Sequence, residues 1–127
     1  MRIDRCDVLY PELSYVVTGC AQRVHRALGP GFPERVYQVA LCRELAKAGI
    51  HFEAEKEHQV HYDGVLCGSF RADTVVEGAI ILELEALDRL TSDHLAQALT
   101  YLKASGLRLA LPINFGRRSL ETQRVVL

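Results

Sequence analysis

Apolar residues recur at helical spacing through Leu13, Val16, Val17, Cys20, Ala21, Val24, Ala27 and Leu28, and the pattern stops at Gly29-Pro30-Gly31. A second helical pattern begins near Pro33, a residue comfortable in a first turn, and runs to Gly49. Its apolar positions (Val36, Tyr37, Val39, Ala40, Leu41, Leu45) cover a wide arc, which predicts burial on more than one side. The period then changes. Phe52 to Tyr62 reads as a rather polar edge strand, Asp63-Gly64 as a two-residue hairpin turn, and Val65 to Val76 as a second strand with Gly68 marking a bulge. Glu77-Gly78 makes another tight turn before a strand over 79–86, apolar enough to be central. A third helix starts near Thr91-Ser92-Asp93 and ends before Gly106. Its core stripe is Leu95, Ala98, Leu99 and Leu102, with His94, Gln97 and Tyr101 as a neighbouring stripe. Strands over 107–115 and 120–127, separated by a turn over 116–119, complete the chain. The order ααβββαββ predicts an α/β domain whose mixed sheet combines an antiparallel meander with a helical crossover to a further strand.

Composition narrows the class. The 127 residues suit one domain with one core, and 49% hydrophobic with 24% charged residues is ordinary for a globular protein. No apolar run approaches the ~20 residues that span a bilayer, so no membrane association is expected. The opening Met1-Arg2-Ile3-Asp4-Arg5 lacks the apolar stretch of a secretory signal, and a cytoplasmic location is the default expectation. A net charge of −1 argues against strong, non-specific nucleic-acid binding. Twelve of the fifteen basic residues are Arg, which serves phosphate recognition and ordinary surface ion pairs alike. Cys6, Cys20, Cys42 and Cys67 form no Cys-x-x-Cys pair, and Cys20 falls on an apolar helix stripe as a buried thiol. His58 and His61, three apart in a strand, point to opposite faces and do not make a shared metal site.

The candidate chemistry is acidic. A hairpin brings Asp73 beside Glu83-Leu84-Glu85, and strand alternation puts Glu83 and Glu85 on one face. Glu34 stands at the start of the second helix. Carboxylates crowded on an apolar sheet repel one another unless a hard cation sits between them. Taken singly, Glu34 reads as a helix-dipole partner, Asp73 as an ion pair for Arg71, and Glu83 and Glu85 as the solvent face of a strand. Tyr37 and Tyr101 read as core or half-core aromatics. The joint pattern points to a site.

Gly31-Phe32-Pro33-Glu34-Arg35-Val36-Tyr37 resembles the Gly-x-x-Glu-x-x-Tyr signature of the GxxExxY protein family. Leu28-Gly29-Pro30-Gly31, Arg71-Ala72-Asp73, the Glu83-x-Glu85 region, His94-x-x-Gln97-x-x-x-Tyr101-Leu102 and Asn114-Phe115-Gly116 extend the resemblance in order along nearly the whole chain. It implies the PD-(D/E)XK nuclease-like superfamily, with a restriction-endonuclease-like mixed sheet flanked by helices. The implied chemistry is Mg²⁺- or Mn²⁺-dependent phosphodiester hydrolysis. Asp73 and Glu83 would be the main metal ligands, with Glu34 from the preceding helix. Gln97 would be the polar helix residue beside the site, and Arg71, His94 and Tyr101 would contact substrate.

One departure stands out. The usual pattern is acid-x-Lys, and Glu85 occupies the lysine position. Glutamate supplies no positive charge, although it can accept a proton from water or bind a second metal. Arg71, which shares a strand face with Asp73, is a better compensating cation than Lys103. The resemblance therefore leaves two readings: a metal-dependent nuclease, or a catalytically inactive nuclease-fold protein that binds nucleic acid or a protein partner. A third is an assembly protein that pairs exposed strands into a homodimer, with Val125-Val126-Leu127 as a shared edge.

Overall fold

A computed structural model of the chain describes residues 10–127. Cys6 and the opening Met1-Arg2-Ile3-Asp4-Arg5 lie outside the described residues. Helix α1 spans Pro11–Leu28 and α2 Glu34–Lys47. Strands β1 (Phe52–Tyr62), β2 (Val65–Val76) and β3 (Ile80–Glu85) follow, then α3 (Ser92–Ser105), β4 (Leu109–Asn114), β5 (Glu121–Thr122) and β6 (Val125–Val126). The strands form one mixed sheet in the order β1-β2-β3-β4-β5, with β6 also on β4. β1–β2 and β2–β3 are antiparallel, whereas β3–β4, joined across α3, is parallel. This is the mixed α/β sheet that the pattern of elements predicted, and it is consistent with the restriction-endonuclease-like fold that the resemblance implied.

Strand alternation divides the core in two. Ile80, Leu82, Leu84, Leu109, Leu111 and Ile113 pack against α1 and α2 through Val17, Cys20, Val24, Tyr37, Leu41 and Leu45. Ile81, Val75 and Ala110 meet Ala98 and Leu102 of α3 on the opposite face. β3, buried on both faces along most of its length, is the central strand its composition predicted. Cys20 is the buried thiol expected of its stripe, while Cys42 is half-buried and Cys67 exposed. The bulge forms beside Gly68: Val60 pairs with Gly68 but His61 with Leu66, leaving Cys67 as the extra residue.

Three expectations need correction. α2 buries only the stripe Tyr37, Leu41 and Leu45, while Val36 and Val39 are exposed because no described element covers that side. In α3, Ala98 and Leu102 are buried whereas Leu95 and Leu99 are only half-buried. The last segment is two short strands rather than one. Its register to β4 is continuous, from Asn114↔Glu121 and Ile113↔Thr122 to Ala110↔Val125 and Leu109↔Val126, but the ladder lapses around Pro112. Proline has no N–H to donate there, and only its carbonyl is used, by Gln123 N–H at 3.1 Å.

Two contacts past the end of the β3–β4 ladder hold the loops beside the cleft. The Asn114 side chain behaves as an extra strand residue: Oδ1 accepts Leu87 N–H at 2.9 Å and Nδ2 donates to Leu87 O at 3.0 Å. Phe115 stacks on Tyr37 with ring centroids 4.7 Å apart. The Tyr37 hydroxyl donates to Gly29 O at 2.5 Å and accepts Phe32 N–H at 3.1 Å, which ties the α1–α2 loop down. Gly116 follows, and a Cβ there would overlap the backbone of Ala86 and Leu87. Gly116→Ala is therefore expected to destabilise the fold by about 3 kcal/mol, a typical backbone-level overpacking effect. Gly19→Ala, in mid-helix where a Cβ would meet only the flexible Arg23 guanidinium at 3.9 Å, should gain about 0.5–1 kcal/mol. Paired thermal melts check both, and equal melting points would refute the close approach at Gly116.

Candidate metal and nuclease-like site

The site begins where β2 and β3 part. Their ladder runs only through Thr74–Val76 against Ile80–Leu82. One step further, Asp73 stands opposite Glu83, and their side chains take over from the ladder. Asp73 Oδ2 accepts Leu84 N–H at 2.7 Å, and Glu83 Oε2 accepts Asp73 N–H at 3.3 Å. The strands thus open into a cleft without orphaning these two backbone N–H groups. α2 closes one wall. Gln38 Nε2 donates to Asp73 O at 3.0 Å, and Glu34, one helical turn earlier, lies beside Glu85 and the Ala86 backbone, close enough for each acid to shift the other's protonation. Glu34, Gln38, Asp73 and Leu84 line a cavity of about 280 Å³ with Arg35, Glu55, Arg71 and Ala72.

The four predicted acids are thus gathered at one end of the sheet, and their protonation is linked. Glu83 is only 8% exposed, which rules out the solvated-strand reading for it. Burial, then the Asp73 charge, push its carboxyl up to about 8. Burial and the Glu34 charge raise Glu85 to about 7. Asp73 and Glu34 are also raised, chiefly by burial, with the Leu84 N–H opposing the shift at Asp73 and the Asp73 charge adding to it at Glu34.

The remaining candidates are less central. Tyr101 lies close enough to Glu83 and Asp73 for their charges to raise its phenol, after burial. It also ends a stack with Phe70 and His58, with centroid separations of 4.2 and 5.1 Å. Gln97 is exposed and donates to the Tyr101 hydroxyl at 3.0 Å. His94 is occupied in a capping box, its Nδ1 accepting Thr91 N–H at 3.1 Å at the start of α3. Arg71 does not form the expected ion pair with Asp73; its Nη1 lies 3.5 Å from Glu55 Oε1 on the neighbouring strand β1. Sequence reasoning missed Gln38, although its position four residues after Glu34 was a usable signal. It also missed Glu55, for which the sequence holds no signal.

The donor chemistry suits a hard divalent cation: four carboxylates, no thiolate, and mutual repulsion that a positive ion would relieve. Among the described residues, no three acidic, histidine or cysteine side chains already converge as a cation cage. Asp73 and Glu83 instead each commit one oxygen to a backbone N–H.

The pKa shifts predict a pH dependence. Glu83 and Glu85 hold protons in the fold that the unfolded chain releases near 4.5, so the native state binds more protons between there and about 8. Their contribution is fully present below about pH 4.5 and is lost as pH rises through 7 and 8. Metal-free protein should therefore melt progressively lower from pH 5 to pH 8.5. Glu83→Gln should be on the order of 2–4 kcal/mol more stable than wild type at pH 8, with little difference near pH 4.5. A flat wild-type profile in EDTA would refute this electrostatic account.

Comparison with known proteins agrees with the fold. The family model described as the PD-(D/E)XK nuclease superfamily matches residues 11–125. No curated protein matches the sequence. Among solved structures, that of SSO0001 superposes with a TM-score of 0.58 at 16% identity, over 72% of this chain and 48% of that one. At that identity the likeness shows the fold alone, and the chain spans about half the length of that protein.

Proposed function

The chain belongs to the PD-(D/E)XK nuclease superfamily, and on that premise we propose that the cleft between β2, β3 and α2 is a divalent-metal-dependent phosphodiester hydrolase site of the GxxExxY kind. Nucleases of this superfamily generally use divalent metals. The observation that carries the reading is the placement of Asp73 opposite Glu83 where the strands part, with the Glu34–Glu85 pair beside them.

In this reading Asp73 and Glu83 hold Mg²⁺ or Mn²⁺ through oxygen, and Glu34 binds it directly or through water. The ion supplies Lewis-acid stabilisation of a phosphate oxygen and a lowered pKa for water. Glu85, raised to about 7, is placed to take a proton from attacking water near neutral pH or to hold a second ion. Gln38 keeps the Asp73 backbone in place. Gln97 and Tyr101, hydrogen-bonded to each other, form the wall contributed by α3, where they orient water or contact nucleic acid.

One observation favours a second reading. Glu85 replaces the usual lysine, and burial with the neighbouring Glu34 charge raises its carboxyl to about 7. A non-catalytic family member that binds nucleic acid or a protein partner would tolerate that arrangement.

Mn²⁺ calorimetry on wild type and Asp73→Asn tests the site without assuming a substrate. Saturable binding is expected in wild type and a loss of at least about tenfold in the variant, with proton release larger at pH 6.5 than at pH 8.5. Equal binding by both proteins would remove the metal assignment. Cleavage of DNA or RNA that requires Mn²⁺ or Mg²⁺ and disappears in Glu83→Gln would exclude the non-catalytic reading.

A further inference from the structure

Three charged side chains on the rim of the cleft are left unexplained by the hydrolytic residues. Arg35 follows Glu34 in the first turn of α2, Glu55 lies in β1 and Arg71 in β2. Arg35 Nη1 donates to Glu55 Oε2 at 2.9 Å, and Arg71 Nη1 lies 3.5 Å from Glu55 Oε1. One carboxylate thus bridges two guanidinium groups brought from separate elements. All three residues line the cavity that also contains Asp73 and Glu34.

The backbone adds a second observation. Glu55 has φ of 52°, in the left-handed region, in the middle of an extended strand. The register continues unbroken on either side, from Ala54↔Thr74 to Lys56↔Ala72, so no inserted residue requires that conformation. The left-handed region is disfavoured for a non-glycine residue. The two ion pairs that Glu55 makes there are ones that solvent screens, since both arginines are more than half exposed.

We propose that Arg35 and Arg71 are the phosphate clamp of this cleft, gripping the backbone of a nucleic-acid strand beside Asp73, and that Glu55 is the resident carboxylate which the phosphate displaces. The proposal rests on the nuclease-like reading of the cleft. A phosphodiester presents two anionic oxygens on one centre, as the Glu55 carboxylate does, and guanidinium groups donate to both in forked fashion. The clamp also provides, next to Asp73, the positive charge that Glu85 at the lysine position does not. Because Glu55 competes for the same donors, it weakens binding and returns the arginines to a paired state when the strand leaves.

The test is fluorescence anisotropy of a fluorescein-labelled DNA hairpin carrying a single-stranded tail, in EDTA, across a salt series. Arg35→Ala and Arg71→Ala should each weaken binding about 5–10-fold and lower the slope of log affinity on log salt by about one. Glu55→Gln should do the opposite, tightening binding about 3–10-fold and steepening the slope. The sign at Glu55 is decisive: a residue that merely positioned the arginines would weaken binding when replaced. Weaker or unchanged binding in Glu55→Gln, wild-type slopes in both arginine variants, or no binding by wild type and Glu55→Gln alike would each overturn the clamp. Thermal melts of these surface variants report folding. Mn²⁺ calorimetry on the same arginine variants and on Asp73→Asn reports the metal reading separately. Metal binding lost only in Asp73→Asn, with arginine-independent DNA binding, sinks the clamp alone; arginine-dependent DNA binding with no Mn²⁺ binding in wild type sinks the metal reading alone.

Discussion

The exchange between Asp73 and Glu83 is the constraint on which the cleft depends. Two adjacent antiparallel strands normally satisfy each other's N–H and C=O groups along their whole length. Here β2 and β3 separate after three residue pairs, and each strand's carboxylate accepts a backbone N–H across the gap. The sheet can therefore open without stranding those donors, and the two acids are fixed by the main chain rather than by flexible surface contacts. The consequence is electrostatic. Both carboxylates are drawn out of water beside each other, and the pair holds a proton at pH values where an exposed glutamate would be ionised.

The rest of the site is built to meet that opening. Tyr37 stacks on Phe115 and bonds the α1–α2 loop, while Asn114 clamps Leu87 just beyond the end of β3. These contacts fix the start of α2 against the end of β3, and that juxtaposition sets Glu34 against Glu85. The Gly-x-x-Glu-x-x-Tyr pattern thus has a physical meaning. One helical turn separates a buried aromatic that anchors the helix from an acid that the anchored helix presents to the cleft. Asn114-Phe115-Gly116 is its counterpart on β4: a backbone mimic, a stacking partner and a residue small enough for close approach.

Charge is arranged locally rather than globally. A chain of net charge −1 has no basic field to concentrate nucleic acid, so any phosphate must be recognised by a few well-placed groups. Acids at the floor of the cleft and arginines on its rim have that form. His94 and Gln97 contribute differently from what their helical spacing suggested. The first caps α3 and the second supports Tyr101, so the helix meets the site mainly through one aromatic wall.

The element order, the Asp63-Gly64 and Glu77-Gly78 turns, the bulge at Gly68, the central place of β3 and the pairing of Asp73 with the Glu83 strand were all legible in the sequence. They follow from local rules: hydrophobic period, turn chemistry and strand alternation act over a few residues and are written where they operate. The burial of Glu83, the single buried stripe of α2, the lapse of the ladder at Pro112 and the bridge of Glu55 to Arg35 and Arg71 were decided only by the tertiary structure. Each depends on which element lies across from the residue, and on how far two strands separate. No local pattern encodes that a glutamate in mid-strand will turn left-handed, or that two carboxylates will replace a hydrogen-bond ladder. Sequence chose the residue types and their faces; long-range packing chose the neighbours that make four acids a single coupled site.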